Sequence, residues 1–187
     1  INQVGDKYEL PNGWLNTDFM KTRSYSPKLA EHSVYYKTFS NLLEVRTVTA
    51  EYMVAMKLMA GRKYKNDLSD VIGILKAHQD NGTPLTLDQI KKAVTDLYGD
   101  WSALPRSSVD FIEQTMDKEN YGEAFEQIKK SEGENKVMLQ SFEADYPGVL
   151  SEDNLDEILR RAAEKMSAGS ENEEETEKPS DSPVQTM

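Results

Sequence analysis

Three runs between Leu43 and Leu75 decide how this chain reads: Leu43-Glu44-Val45-Arg46-Thr47-Val48, then Thr49-Ala50-Glu51-Tyr52-Met53-Val54-Ala55-Met56-Lys57-Leu58-Met59-Ala60-Gly61-Arg62, then Asn66-Asp67-Leu68-Ser69-Asp70-Val71-Ile72-Gly73-Ile74-Leu75. The first is rich in β-formers and reads as a strand. The second reads as a helix capped by Thr49, with Tyr52, Ala55, Met56 and Met59 on one face and Gly61 closing it. It carries one lysine, Lys57, in an apolar run, and Arg62 follows its end. The third opens another helix, with Asn66 as cap and Leu68, Val71, Ile72 and Leu75 as its buried face.

Outward from this stretch, Val34 to Phe39 is a second β-rich run, separated from Leu42 to Val48 by Ser40-Asn41 alone. That spacing predicts a tight hairpin, with Tyr35 and Tyr36 packed in a sheet. Two strands alone are marginal in water. No further convincing strand follows, so the hairpin is expected to be part of an incomplete sheet. Upstream, Pro11-Asn12-Gly13 is a turn signal with Trp14-Leu15 placed to anchor it, and residues 21–31, which contain Pro27, read as loop.

Everything after residue 48 reads helical. Thr86 and Gln89 form a capping-box pair before Leu87, Ile90, Val94 and Leu97, with Gly99 ending that helix. Pro105 suits the start of another, carrying Val109, Ile112 and Met116; Ser107-Ser108 in its first turn reads as a cap rather than a nucleophile. Tyr121 to Ile128 and Val137 to Phe142 read as two weakly apolar helices with the polar Lys130-to-Lys136 stretch between them. Tyr146-Pro147-Gly148 is a break. Asn154 and Glu157 are spaced to box a last helix with Leu155, Ile158, Leu159, Ala162 and Met166 on one face.

The chain has 187 residues, 37% of them hydrophobic, and a net charge of −11. Residues 167–187 hold six carboxylates against Lys178 alone, and Val184 and Met187 are their only large apolar residues. Such a segment cannot bury enough apolar surface to offset its ordering entropy and is expected to be disordered. The remaining −6 on residues 1–166 argues against broad nucleic-acid binding, which needs a basic face. The absence of cysteine excludes disulfides and thiolate metal sites. No apolar run approaches the roughly 20 residues of a membrane helix, and no signal sequence opens the chain, so the expected compartment is the cytoplasm.

The chemistry concentrates between the two helices of the opening stretch. Lys57 lies one turn above the end of its helix, Arg62 just beyond, and Lys63 and Lys65 in the connection. Asp67 and Asp70, at i and i+3, share a face on the next helix's first turn. The pattern is a cationic corner beside a carboxylate pair. Cations of this kind offset the charge of a nucleoside triphosphate, with carboxylates orienting them. A structural explanation stands beside the functional one: first-turn aspartates suit the helix dipole, and Lys57 can snorkel from an apolar face. His32 and His78 are isolated, with no second ligand at metal-binding spacing. Glu44 reads as part of a solvated strand face.

Three motifs carry a resemblance. Leu10-Pro11-Asn12-Gly13-Trp14-Leu15-Asn16, the lysine helix Glu51 to Arg62, and Asp67-Leu68-Ser69-Asp70 together resemble the C-terminal part of a bacterial nucleotidyltransferase-like family related to the AbiEii-type toxins of toxin–antitoxin systems, within the polymerase-beta-like superfamily. The likeness covers residues 43–75 and, more loosely, 8–116. Asn66 stands where family members have a basic residue. The resemblance implies an α+β fold: residues 1–118 as the C-terminal part of the nucleotidyltransferase-like domain, with a two-stranded remnant of its sheet and a helical subdomain. Residues 119–166 would then be a helical extension and 167–187 the acidic tail.

The resemblance further implies that the complete parent transfers a nucleotidyl group from an NTP to an acceptor such as RNA or protein, with Mg2+ as cofactor. Lys57 and Asp70 would be catalytic, and Arg62 and Asp67 would bind substrate. The superfamily's metal motif, Gly-Ser followed by Asp-x-Asp, is missing: the one Gly-Ser is Gly169-Ser170, in the acidic tail. This chain alone is therefore expected to hold no metal and to be inactive. The alternative is a non-catalytic binding module, antitoxin-like or an adaptor, acting through its helical face.

Overall fold

A computed structural model describes residues 6–9, 11, 13, 16–118, 120–151 and 154–174, with side chains as far as residue 164. The fold is α+β, a two-stranded antiparallel sheet followed by helices. The strands are β1 (Ser33–Phe39) and β2 (Leu43–Val48). The helices that follow are α1 (Ala50–Ala60), α2 (Asp67–Asp80), α3 (Leu87–Tyr98), α4 (Arg106–Met116), α5 (Tyr121–Asp145) and α6 (Leu155–Glu174). Leu10, Asn12, Trp14 and Leu15, which carry most of the expected N-terminal turn motif, lie outside the described residues, as does the tail from residue 175. Helix α6 runs to Glu174, past the expected start of the tail at residue 167.

The chain divides into two compact units, Ile1–Glu132 and Gly133–Met187, and the division falls inside α5. The first unit is built around α1. This helix is apolar nearly all round, so it buries more than one stripe. Val54, Ala55, Leu58 and Met59 are buried, and α1 packs against α2, α3 and α4. The expected face of Tyr52, Ala55, Met56 and Met59 is corrected accordingly: Tyr52 and Met56 are only partly buried. On α2, Asp67 and Ser69 take buried places in the first turn while Leu68 stays partly exposed; Val71, Ile72 and Leu75 are buried as expected.

Thr86 and Gln89 form the capping box of α3: Gln89 N donates to Thr86 Oγ1 at 3.2 Å, and Thr86 N donates to Gln89 Oε1 at 2.8 Å. Other expected caps do not form among the described residues. Thr49 makes no side-chain cap, and its hydroxyl is buried without a hydrogen-bond partner among the described residues. Asn66 lies at φ −81°, ψ 22°, outside the extended geometry that turns a capping side chain onto the first turn. Helix α4 follows Pro105 as its N-cap residue, with no side-chain cap. Asn154 accepts instead from Ser151 N, and Glu157 pairs with Arg160 and Arg161. The loop at 21–31 contains a 3-10 turn over Pro27–Ala30 and is tied to α3: Ser26 Oγ donates to Leu97 O at 2.8 Å, and Tyr98 Oη donates to Ser24 O at 2.7 Å.

Helix α5 corrects the reading of two helices with a polar break. The helix runs without interruption through Lys130 to Lys136 over 25 residues in all: polarity alone does not break a helix, and Lys130, Glu132, Glu134 and Lys136 are good helix formers that carry it past Gly133 and Asn135.

The hairpin forms where expected, with an irregular register between Tyr35 and Lys37. Tyr35 pairs with Arg46 and Thr38 with Glu44, which makes one face polar. Val34 pairs with Thr47, Lys37 with Val45 and Phe39 with Leu43, which makes the other largely apolar. Val34, Phe39 and Leu43 on that face are exposed. Tyr35 and Tyr36 are exposed too, so the expectation that they pack in a sheet does not hold: no third strand pairs with the hairpin among the described residues.

Candidate functional site

Helix α1 ends at Gly61, whose φ of +54° and bond from Gly61 N to Lys57 O (2.8 Å) turn the chain back sharply. A Cβ at Gly61 would lie 2.5 Å from Ser108 Oγ and would have to displace it, so both space and the left-handed backbone favour glycine. The turn brings Arg62 onto the first residue of α2. All four residues singled out in the sequence converge there.

Asp67 is the centre. Its side chain is 2% exposed, and both oxygens are engaged. Oδ2 accepts from Arg62 Nε at 2.6 Å and from Arg62 N at 3.4 Å; Oδ1 accepts from Arg62 Nη2 and from Lys57 Nζ, each at 3.2 Å. Lys57 Nζ also donates to Asp70 Oδ2 at 2.7 Å. The outer members reach solvent: Lys57 is 29% exposed, Arg62 35% and Asp70 44%. Burial by itself would raise the Asp67 carboxyl, but Arg62 and then Lys57 outweigh it and hold Asp67 below the usual carboxylate range. Burial likewise opposes the Lys57 charge, and the hydrogen bonds that Lys57 donates to Asp70 and Asp67 outweigh that and raise it.

A fifth residue belongs to this corner and was not anticipated. Glu132 of α5 is 4% exposed, and its Oε1 accepts from Leu68 N at 2.9 Å and Ser69 N at 3.4 Å. It caps α2 in place of Asn66. Its Oε2 is buried with no hydrogen-bond partner among the described residues. Burial pushes the carboxyl up, and the neighbouring Asp67 charge adds to this; the bonds from Ser69 and Leu68 oppose it without cancelling it. One signal could have revealed it. Ile128, Glu132, Asn135, Leu139 and Phe142 recur at helical spacing, with Glu132 in register with an otherwise largely apolar stripe.

A second polar cluster also escaped the sequence. Tyr52 Oη donates to Asp96 Oδ2 at 2.8 Å, and its ring stacks on His32 with centroids 4.5 Å apart and planes 20° apart. Burial, then Asp96, pushes the Tyr52 hydroxyl up to about 12. His32 is thus part of a stacked pair joining the segment before β1 to α1. His78 lies at the end of α2 against Thr83 O and Oγ1. Glu44 is exposed and paired with Arg46 on the polar strand face.

The donor set of the corner does not fit Mg2+. Asp67's oxygens already accept from two cationic side chains, Asp70 is held by Lys57, and no group of three or more potential ligands gathers among the described residues. What the corner can do is hold an ammonium and a guanidinium in fixed positions at the edge of solvent. No described helix is long and apolar enough to cross a membrane. Protein-family models, curated proteins and solved structures contain no match to this chain.

Proposed function

We propose that this chain is the C-terminal part of a nucleotidyltransferase, and that the Lys57 corner binds the phosphates of an NTP. The observation that carries this reading is the placement of Lys57. Its ammonium is fixed by two carboxylates, at 3.2 and 2.7 Å, beside Arg62 and within reach of solvent. An ammonium has three N–H donors, and two of them meet Asp67 and Asp70. The third would donate to a phosphate oxygen. Arg62 would lend charge beside it, and exposed Lys63 and Lys65 would add to the field. Asp67, buried and saturated, positions the two cations rather than meeting the substrate. Asp70, more exposed and tied to Lys57, would orient the ammonium. The hairpin's strand edges, unpaired among the described residues, and its exposed apolar face support a place within a larger, covered sheet. The Mg2+ of such a reaction would need carboxylates beyond those of this corner, and nucleotidyl transfer would depend on them.

The charges favour a second reading. Lys57 and Arg62 are balanced one for one by Asp67 and Asp70, as in a purely structural ion-pair network of a binding module. Equilibrium dialysis against each of the four labelled NTPs separates the two. The first reading expects binding, weakened about tenfold or more by Lys57→Ala, in a variant that stays folded. No binding of any NTP, or equal binding by Lys57→Ala, would sink it. Genomic sequence upstream of the Ile1 codon supplies an independent check: an in-frame Gly-Ser followed by Asp-x-Asp supports the transferase, and an in-frame stop followed by a start codon supports the module.

A further inference from the structure

We infer that Glu132 is the positioning residue of the corner: a carboxylate delivered by α5 that caps α2 and so sets Asp67 and Asp70 against Lys57 and Arg62. Four observations meet at this side chain. Helix α2 has no cap of its own, because Asn66 lies outside capping geometry. Its amides at Leu68 and Ser69 are received by a residue more than 60 positions away. Those amides belong to the two residues between Asp67 and Asp70, so holding them fixes the rotation of the turn that presents both carboxylates. Finally, a carboxylate 4% exposed, with one oxygen lacking a partner among the described residues, is costly to bury and is not explained by packing alone.

Loss of the cap frees the first turn to fray. Asp67 and Asp70 then drift from Lys57 Nζ, although Glu132 itself is hydrogen-bonded to neither cation in the described contacts. The groups facing Glu132 are the two amides, the Ser69 hydroxyl and, through space, the Asp67 charge. Glutamine at 132 keeps the acceptor for both amides and removes the charge.

The test compares the whole chain with Glu132→Ala and Glu132→Gln. Amide NMR signals of Leu68 and Ser69 report the cap, titration of the Lys57 ammonium reports the corner, and dialysis reports NTP binding. In the parent chain both amides should shift with pH above the ordinary glutamate range as Glu132 titrates. Glu132→Ala should move both amides, lower the Lys57 titration toward that of an ordinary lysine and weaken NTP binding about fivefold. Glu132→Gln should restore the Lys57 titration and NTP binding while abolishing the pH dependence of the amides.

An unchanged Lys57 titration in Glu132→Ala overturns the inference. So does a Glu132→Gln chain whose amides still titrate like the parent. If Glu132→Ala fails to fold, the Gln variant decides: a folded chain with the parent's Lys57 titration and flat amides supports the inference, and a lowered Lys57 titration overturns it. Only the binding arm rests on the nucleotide reading. NMR responses as expected, with no NTP bound by the parent chain, would retire that reading and leave the positioning role standing.

Discussion

Removing Asp67 should cost more stability than removing any other member of the corner. Its carboxylate receives the Arg62 fork at 2.6 and 3.2 Å and Lys57 Nζ at 3.2 Å while almost fully buried. Breaking a wholly buried ion pair costs about 3–5 kcal/mol because the surviving charge is stranded. Here both surviving cations are about one-third exposed and can be rehydrated, so the low end applies, about 3 kcal/mol for Asp67→Ala. For a chain of this size that is a fall of about 6–12 °C in Tm. Arg62→Ala should cost about 2 kcal/mol, because the buried carboxylate keeps only Lys57. Lys57→Ala should cost about 1 kcal/mol, because Asp67 keeps its bidentate partner. Urea unfolding of the three variants and of Asp67→Ala/Arg62→Ala measures these costs and a coupling of about 1–2 kcal/mol between the two residues. A loss below about 1 kcal/mol for Asp67→Ala, or strict additivity with Arg62→Ala, would refute Asp67 as the anchor of the corner.

The two buried carboxylates should respond to acid in opposite senses. Asp67 is held below its ordinary range, so its contribution is complete above that range and is lost as pH falls through the lowered native value. Glu132 is raised, so between its ordinary and its native values the folded chain binds more protons; stability there rises as pH falls, and Glu132→Gln should flatten that rise. Lys57 is raised, so its contribution is complete below the ordinary lysine value and is lost as pH climbs through the native one; Lys57→Met should remove that alkaline limb of the stability curve. Gly61→Ala should destabilise by about 2 kcal/mol, from the left-handed backbone and the encounter with Ser108 Oγ; Ser108→Ala, which deletes a buried hydroxyl without a described partner, should be neutral or mildly stabilising in the same urea assay. Tyr36→Ser on the exposed hairpin should change stability by less than about 0.5 kcal/mol.

Local signals in the sequence were enough for most of the elements in residues 33–116 and for much of the corner. Alternating β-formers around Ser40-Asn41 specify the hairpin, Thr86 with Gln89 specifies the start of α3, and Gly61 specifies the end of α1, because each acts through neighbours a few residues apart. Lys57, Arg62, Asp67 and Asp70 were legible as one group because a short connection joins their helices. The tertiary structure decided what contacts across longer separations impose. Helix α1 is apolar on most sides, so periodicity could not choose its buried face; its position against α2, α3 and α4 did. Asn66 and Glu132 are both plausible acceptors for α2, and only the packing of α5 hands the cap to the residue 64 positions away. Asp67 is a buried anchor and Asp70 lies nearer the surface, a distinction invisible in two aspartates three residues apart. Burial follows the arrangement of whole helices, and one strand of residues read in order does not contain it.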